Sequence, residues 1–160
     1  MIFVTVGTQK FPMDRLVKDI DRLAKEGLVT EPVFIQRGCS AYTPEACEST
    51  AFMEKAAAQS KVEECTLLIC HAGVGSILMG LQKNKKVVVI PRLRKYGEHV
   101  DDHQVEIARA FSNAGYIRMV ENTEDLSSVL QEYQAWTPRR FESNQDDFNR
   151  LIISIIDSWE

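Results

Sequence analysis

Short runs of consecutive apolar residues, many of them β-branched, alternate along the chain with longer segments in which apolar positions recur every three or four residues. A continuous apolar run of four to eight residues is typical of a strand that is buried on both faces of a sheet. The pattern predicts strands at residues 2–6, 32–36, 67–70, 87–90 and 116–120, and it admits a brief additional strand at 50–52.

The segments between these runs have helical spacing. In the first of them Pro12 suits the opening turn of a helix, because its missing N–H is not needed there, and Asp14, Asp19 and Asp21 fit solvated charges on the helix surface. Further helices are predicted to end near residue 64, to begin near residue 123, and to span 76–83, 102–114 and 148–159. Alternating strands and helices predict an α/β fold, a mostly parallel sheet with helices on both faces.

Length and composition favour a single globular domain covering residues 1–160, because 44% apolar and 26% charged residues argue against disorder. The net charge of −4 argues against a general nucleic-acid binder, which usually has a basic excess. No apolar run approaches the roughly 20 residues of a bilayer span, and no signal peptide is visible. The four cysteines form no CxxC pair, so we expect a cytoplasmic protein with reduced thiols.

The loops that follow the central strands carry the candidate chemistry, since ligands of parallel α/β sheets bind beyond the carboxyl ends of the strands. The first loop contains Gly7 and Thr8, where glycine permits close backbone approach and the following helix offers free N–H groups. Taken alone, this loop also fits a plain strand-to-helix turn.

The second loop, residues 71–76, has two glycines at a strand-to-helix turn, Gly73 and Gly75. Their successive backbone N–H groups suit a phosphate held at the N-terminus of a helix. Ser76 is placed to cap that helix or to donate to the phosphate. The alternative is a tight turn with His71 hydrogen-bonded in the core.

The third loop, residues 91–104, is the richest in carboxylates, imidazoles and amides, which are the groups that bind sugar hydroxyls. Its candidates are Glu98, His99, Asp102, His103 and Gln104. A metal site that also uses Asp101 is an alternative, although the Glu-x-x-His context of a zincin helix is absent. A solvated polar helix start is the other alternative.

Together these segments resemble the C-terminal domain of glycosyltransferase family 28. The matching stretches are FVTVGTQ at 3–9, HAGVGSIL at 71–78 and VVVIPRLRKYGEHVDDHQ at 87–104, the last being the most specific. Within the family, the chain is similar to the small donor-binding subunits of two-component transferases. These include the subunits of bacterial capsule and exopolysaccharide synthesis and the catalytic subunit of the dolichol-linked UDP-GlcNAc transferase. The likeness covers essentially the whole chain.

The resemblance implies that the chain is equivalent to the C-terminal, Rossmann-like half of a GT-B glycosyltransferase, the half that holds a UDP-sugar. It places the diphosphate against the first two loops and the sugar hydroxyls against the third. The residues it implicates are Gly7, Thr8, His71, Gly73, Gly75, Ser76, Glu98, His99, Asp102, His103 and Gln104. Met79 departs from the family pattern, because single-chain relatives carry a ribose-binding glutamate at that position.

The activity that the resemblance implies is inverting, metal-independent transfer of a hexose, galactose or a similar sugar, from a UDP-sugar to a lipid-linked saccharide in bacterial capsular or exopolysaccharide synthesis. No cofactor is expected. A membrane-anchored, acceptor-binding partner is expected to supply the general base and to hold the chain at the inner face of the cell membrane. His71 and His99 are less favoured candidates for the base. The alternatives are a UDP-GlcNAc transferase subunit, a nucleotide-binding regulatory domain without catalysis, and a metal hydrolase.

Overall fold

The computed structural model describes residues 1–143, 145–157 and 159, and within them six strands form one sheet. The strands are β1 (Ile2–Thr5), β2 (Val33–Gln36), β3 (Glu48–Thr50), β4 (Leu67–Cys70), β5 (Lys86–Val89) and β6 (Arg118–Met119). Their order is β3-β2-β1-β4-β5-β6, and every neighbouring pair is parallel. The α-helices in the described part of the chain are α1 (Asp14–Lys25), α2 (Lys55–Glu64), α3 (Val74–Gln82), α4 (His103–Asn113), α5 (Leu126–Glu132) and α6 (Gln145–Asp157).

Successive side chains of a strand point to opposite faces of the sheet, and helices cover both faces. Val4 of β1 belongs to a core that α1 completes with Leu16. Its chain neighbour Phe3 belongs to a second core, which includes Ile77 of α3 and Phe111 of α4. All five of these side chains are fully buried. The predicted α/β fold, a parallel sheet between two layers of helices, is confirmed.

The observed elements differ from the predicted ones mainly at their ends. The predicted strand at 116–120 shortens to β6, and at its start the N–H of Tyr116 bonds the carbonyl of Phe111 near the end of α4 (3.2 Å) instead of a neighbouring strand. Strand β3 covers 48–50 rather than 50–52, since its partner β2 ends with Gln36 opposite Thr50. The last helix begins at Gln145 instead of residue 148, and residue 158 of its predicted span lies outside the described residues.

Asp21, which the sequence places among solvated charges, is fully buried, so that prediction is wrong. Its carboxylate accepts hydrogen bonds from the Tyr42 hydroxyl and from the N–H groups of Glu45 and Ala46, at 2.5–3.0 Å. Burial by itself raises the pKa of this carboxyl, but these bonds and Lys25 outweigh burial and leave the pKa below its ordinary value. Helix α1 thereby anchors the long connection between β2 and β3.

Helix α3 packs so closely on the sheet that a Cβ at Gly80 would come within 3 Å of the Val87 and Leu68 side chains. We expect Gly80→Ala to lower the free energy of unfolding by about 1–3 kcal/mol, because overpacking outweighs the better helix propensity of alanine. Urea denaturation measures the change. Gly75→Ala, where no atom lies within 4 Å of the added Cβ, is the control and should retain or gain stability. An equal loss in both variants would contradict the packing argument.

Candidate functional site

Strands β1 to β3 extend the sheet in one direction and β4 to β6 extend it in the other. The direction changes between β1 and β4, which lie side by side. The connections after these two strands therefore diverge and leave a crevice at the carboxyl edge of the sheet. A cleft of about 410 Å³ occupies this crevice. Another groove, of about 380 Å³, lies beside Lys85 and Tyr116. Since Lys85 immediately precedes β5, that groove is at the amino edge, where sheets of this kind do not usually bind ligands.

The first two predicted loops meet in the cleft. Six of the predicted residues line it, namely Gly7, Thr8, His71, Gly73, Gly75 and Ser76. Met79, which occupies the position of the family's ribose-binding glutamate, lines it as well. Ligand binding by these residues stays a prediction, and the structure brings them to one place.

The packing of the His71 imidazole explains why positions 7 and 73 are glycines. A Cβ at Gly7 or at Gly73 would come closer than 3 Å to atoms of the His71 ring. Gly7 also has a φ of 76°, in the left-handed region that favours glycine. The two glycines therefore admit the buried ring between the loops, in addition to any approach they allow to a ligand.

His71 is 5% exposed and is hydrogen-bonded through both ring nitrogens. Its Nδ1 lies 3.3 Å from Nε2 of Gln104, and its Nε2 lies 3.2 Å from Oγ of Ser76. Burial, reinforced by the positive charge of Arg92, lowers the pKa of His71 to about 3. The ring is therefore neutral at physiological pH and is a poor proton acceptor, which disfavours its assignment as a general base.

Gln104 is buried behind the cleft and does not line it. Its Oε1 accepts hydrogen bonds from the backbone N–H groups of Ala72 (3.1 Å) and Arg92 (3.0 Å). The amide thereby ties the second loop to the third and orients His71. Its contact with a sugar hydroxyl stays a prediction, and the described geometry uses the amide inside the protein.

Glu98 is also buried, at 2% exposure, and is not among the residues that line the cleft. Its carboxylate receives two hydrogen bonds from the Arg15 guanidinium (2.9 and 3.0 Å) and one from the N–H of Leu93 (3.0 Å). Through these hydrogen bonds Glu98 holds the third loop against α1. The sequence places Glu98 at the mouth of the site instead, because a single loop gives no sign of a partner 83 residues away.

His99, Asp102 and His103 lie outside the cleft lining, on the outer part of the third loop. Nδ1 of His99 is 3.1 Å from a carboxylate oxygen of Asp101, and Asp102 accepts a hydrogen bond from the N–H of Arg94 (2.9 Å). His103 stacks on Trp159 with 4.6 Å between ring centroids. Across the described part of the chain, no three His, Cys, Asp or Glu side chains converge as metal ligands.

Two helix N-termini face the cleft. Val74, Gly75 and Ser76 form the first turn of α3, and their N–H groups have no acceptor within the helix, whose first bond runs from the N–H of Ile77 to the carbonyl of Gly73 (3.1 Å). Helix α2 begins at Lys55, which lines the same cleft. Free N–H groups and the positive dipole ends favour an anion between the two helices.

Lys55 is the one charged side chain among the described residues that line the cleft. The sequence prediction omits it, together with Thr5, Gln36, Met53 and Ala58, which also line the cleft. These residues belong to β1, β2, α2 and the connection that leads into α2, and only the strand order shows that they face the second loop. A single cation, neutral polar groups and free backbone N–H groups together suit a ligand in which a diphosphate is joined to an apolar or aromatic group.

The low pKa of His71 predicts how stability depends on pH. The unfolded ring binds a proton near pH 6.5 and the folded ring only near pH 3, so the unfolded state gains protons first and stability falls as the pH drops below 6.5. We expect this residue to remove about 2 kcal/mol of unfolding free energy between pH 7 and pH 5. Urea denaturation of the wild type and of His71→Gln at both pH values isolates the effect. Identical losses in the two proteins would contradict the assignment of a neutral buried ring.

Comparisons with known proteins identify the family of the chain. The sequence model of the family described as "Glycosyltransferase family 28 C-terminal domain" matches residues 1–154. The human protein "UDP-N-acetylglucosamine transferase subunit ALG13" is 30% identical over 125 residues, which are 72% of this chain and 10% of the human protein. The protein of the same name from Saccharomyces cerevisiae is 35% identical over 92 residues, which are 56% of this chain and 44% of the yeast protein.

The chain thus spans a tenth of the human relative and less than half of the yeast relative. The NMR solution structure of ALG13 superposes with a TM-score of 0.59 and 23% identity, and the superposition covers 94% of this chain and 93% of that one. This likeness supports the fold described above. Because the family match extends over nearly the whole sequence, the chain belongs to the glycosyltransferase family 28 C-terminal domain family.

Proposed function

We propose that this chain is the donor-binding subunit of a UDP-sugar-dependent glycosyltransferase and that it holds the UDP-sugar in the cleft between the first two loops. One observation carries the proposal: the first turn of α3, the Gly7 turn and Lys55 all line a single crevice at the switch point of the sheet. Membership of the glycosyltransferase family supplies the chemical context.

The diphosphate is placed against the first turn of α3, where Gly75 leaves open space and the amide groups are unpaired. Lys55, which lines the same cleft, supplies the counter-charge. The nucleoside then extends toward the apolar side of the cleft, which Met53, Ala58 and Met79 line. The thioether of Met79 is only a weak acceptor, so the ribose hydroxyls are recognised less strongly than by a glutamate.

The proposed chemistry is inverting transfer without a metal. As the bond to the sugar breaks, negative charge grows on the departing UDP, and the preorganised amides and Lys55 stabilise that charge. The acceptor hydroxyl must lose a proton to a base. The neutral, buried His71 does not suit this role, and His99 lies outside the cleft lining, so we assign the base to the acceptor-binding partner.

The names of the relatives favour UDP-GlcNAc as the donor. The resemblance to subunits of capsule synthesis suggests UDP-galactose instead. Both relatives described above carry the name UDP-N-acetylglucosamine transferase subunit, and the word subunit supports a second protein in the transferase. We propose a membrane-associated partner that presents a lipid-linked saccharide. In the described residues, no helix has both the length and the apolar content that crossing a bilayer requires.

Calorimetric titration of the purified chain with UDP, UMP, UDP-GlcNAc and UDP-galactose tests the donor site. We expect UDP to bind about tenfold or more tightly than UMP, because the second phosphate adds charge-assisted hydrogen bonds to the amides. UDP-GlcNAc is expected to bind more tightly than UDP-galactose. Equal affinity for UMP and UDP would contradict a site built around the diphosphate.

Transfer from UDP-GlcNAc to a lipid-diphosphate-linked saccharide, with and without the membrane-associated partner, completes the test. The chain alone should be nearly inactive, and the partner should restore turnover. Full activity of the isolated chain would contradict the two-subunit form. Tight UDP binding without transfer in either condition would instead identify a nucleotide-binding regulatory domain.

Lys55 provides a variant with a matched control. Lys55→Gln removes the one charge that the described residues contribute to the cleft lining and should weaken UDP binding about tenfold, which corresponds to one charge-assisted contact. The dependence of the affinity on salt concentration should weaken with it. Lys61→Gln, on the same helix but with its ammonium over the Phe34 ring (4.3 Å to the centroid), should leave UDP affinity unchanged. A similar effect of both substitutions would show that Lys55 acts only through the general charge of the protein.

A further inference from the structure

The orientation of the Gln104 amide is determined by its neighbours. Two backbone N–H groups, those of Ala72 (3.1 Å) and Arg92 (3.0 Å), point at the same atom of the amide. Only the carbonyl oxygen can accept both, because an amide NH2 group donates and does not accept. The NH2 group of Gln104 must therefore be the part that faces Nδ1 of His71, at 3.3 Å.

This orientation fixes the tautomer of His71. Since the Gln104 NH2 group donates, Nδ1 of His71 must accept and therefore carries no proton. The single proton of the neutral ring then resides on Nε2, and the low pKa of His71 agrees with a neutral ring. Nε2 lies 3.2 Å from Oγ of Ser76, so the ring donates to the serine hydroxyl.

The hydroxyl of Ser76 is oriented in turn. Its oxygen accepts the proton of the His71 Nε2–H group, so its own hydrogen cannot point at the ring and is free to point elsewhere. Ser76 lines the cleft as the third residue of α3, beside the free N–H groups of the first helical turn. The ring itself cannot rotate freely, because Gly7 and Gly73 lie so close to it that an added Cβ at either position would come within 3 Å of a ring atom.

We propose that His71 is a positioning residue: with Gln104 it fixes Ser76 Oγ–H as a hydrogen-bond donor that points into the cleft, toward an oxygen of the diphosphate. This role rests on the proposed function, and it differs from that of a direct phosphate ligand or a base. His71 acts through Ser76, so the two side chains are coupled in ligand binding, and each loses its contribution when the other is removed.

A cycle of variants measures this coupling by calorimetric titration with UDP. Ser76→Ala should weaken UDP binding about tenfold, the effect of one hydrogen bond to a charged group. His71→Asn, whose short amide reaches the position of Nδ1 but not that of Nε2, should weaken it by a similar factor. The double variant should bind UDP no more weakly than either single variant. Fully multiplied losses in the double variant would overturn the proposal, because they would show two independent contacts.

Two further variants sharpen the cycle. His71→Gln places an amide NH2 group near the position of Nε2 and should recover most of the lost affinity in the presence of Ser76, but none in the Ser76→Ala background. Ser60→Ala, which removes a hydroxyl bonded to the Ala56 carbonyl on α2, should leave the affinity unchanged. Recovery by His71→Gln in the absence of Ser76 would mean that position 71 contacts the nucleotide directly, and would overturn the positioning role.

The tautomer is measured on the wild-type chain without nucleotide, by a long-range proton–nitrogen NMR spectrum of the imidazole rings. We expect His71 to carry its proton on Nε2 throughout pH 5–8. A proton on Nδ1, or a charged ring in this range, would overturn the inference even if every variant failed to fold. The expected tautomer in a chain that does not bind UDP would contradict the proposed function alone, whereas UDP binding with the other tautomer would contradict this inference alone.

Discussion

The guanidinium of Arg92 is the buried contact on which the shape of the cleft depends. Arg92 is fully buried and donates to the backbone carbonyls of Val6, Phe11 and Glu98. The three carbonyls accept from both terminal nitrogens, Nη1 and Nη2, and without them the buried cation would cost several kcal/mol, so they must stay in place around it. Burial lowers the pKa of Arg92, and the negative charge of Glu98 opposes that shift. The loops after β1 and β5 are thereby locked together.

Gln104 and Glu98 extend this lock to the other elements around the crevice. Gln104 connects the loop after β5 to the loop after β4, and Glu98 connects it to Arg15 on α1. The third loop, which the sequence marks as the richest in sugar-binding groups, therefore has an inner half that holds the first two loops in register. Fixed loops keep free backbone N–H groups at fixed positions, and such preorganisation is what gives neutral dipoles a large effect on a developing charge.

The sequence predicts the sheet and the place of the site because both depend on local pattern. Apolar runs reveal the strands, and Gly73 and Gly75 mark a turn at the carboxyl end of one of them. What the sequence does not reveal depends on contacts between distant segments. The strand order alone places Lys55 at the cleft. A hydrogen bond to Arg15, an arginine in another helix, holds Glu98 away from the cleft. Asp21 follows the same rule, since a helix pattern cannot show that a remote loop will bury it.

A neutral His71 has a consequence for turnover under the proposed function. A second cation beside Lys55 would stabilise the charge that grows on the leaving phosphate, as Lys55 does, but it would also hold the released UDP, which carries more negative charge than the UDP-sugar. Fixed N–H and O–H dipoles also stabilise the charge that accumulates on the leaving phosphate and need no reorganisation at that moment, but they carry no net charge. Burial keeps the imidazole uncharged, and the Gln104 amide keeps its proton on the side of Ser76. The network therefore adds a directed donor to the cleft without adding a charge that would retain the product.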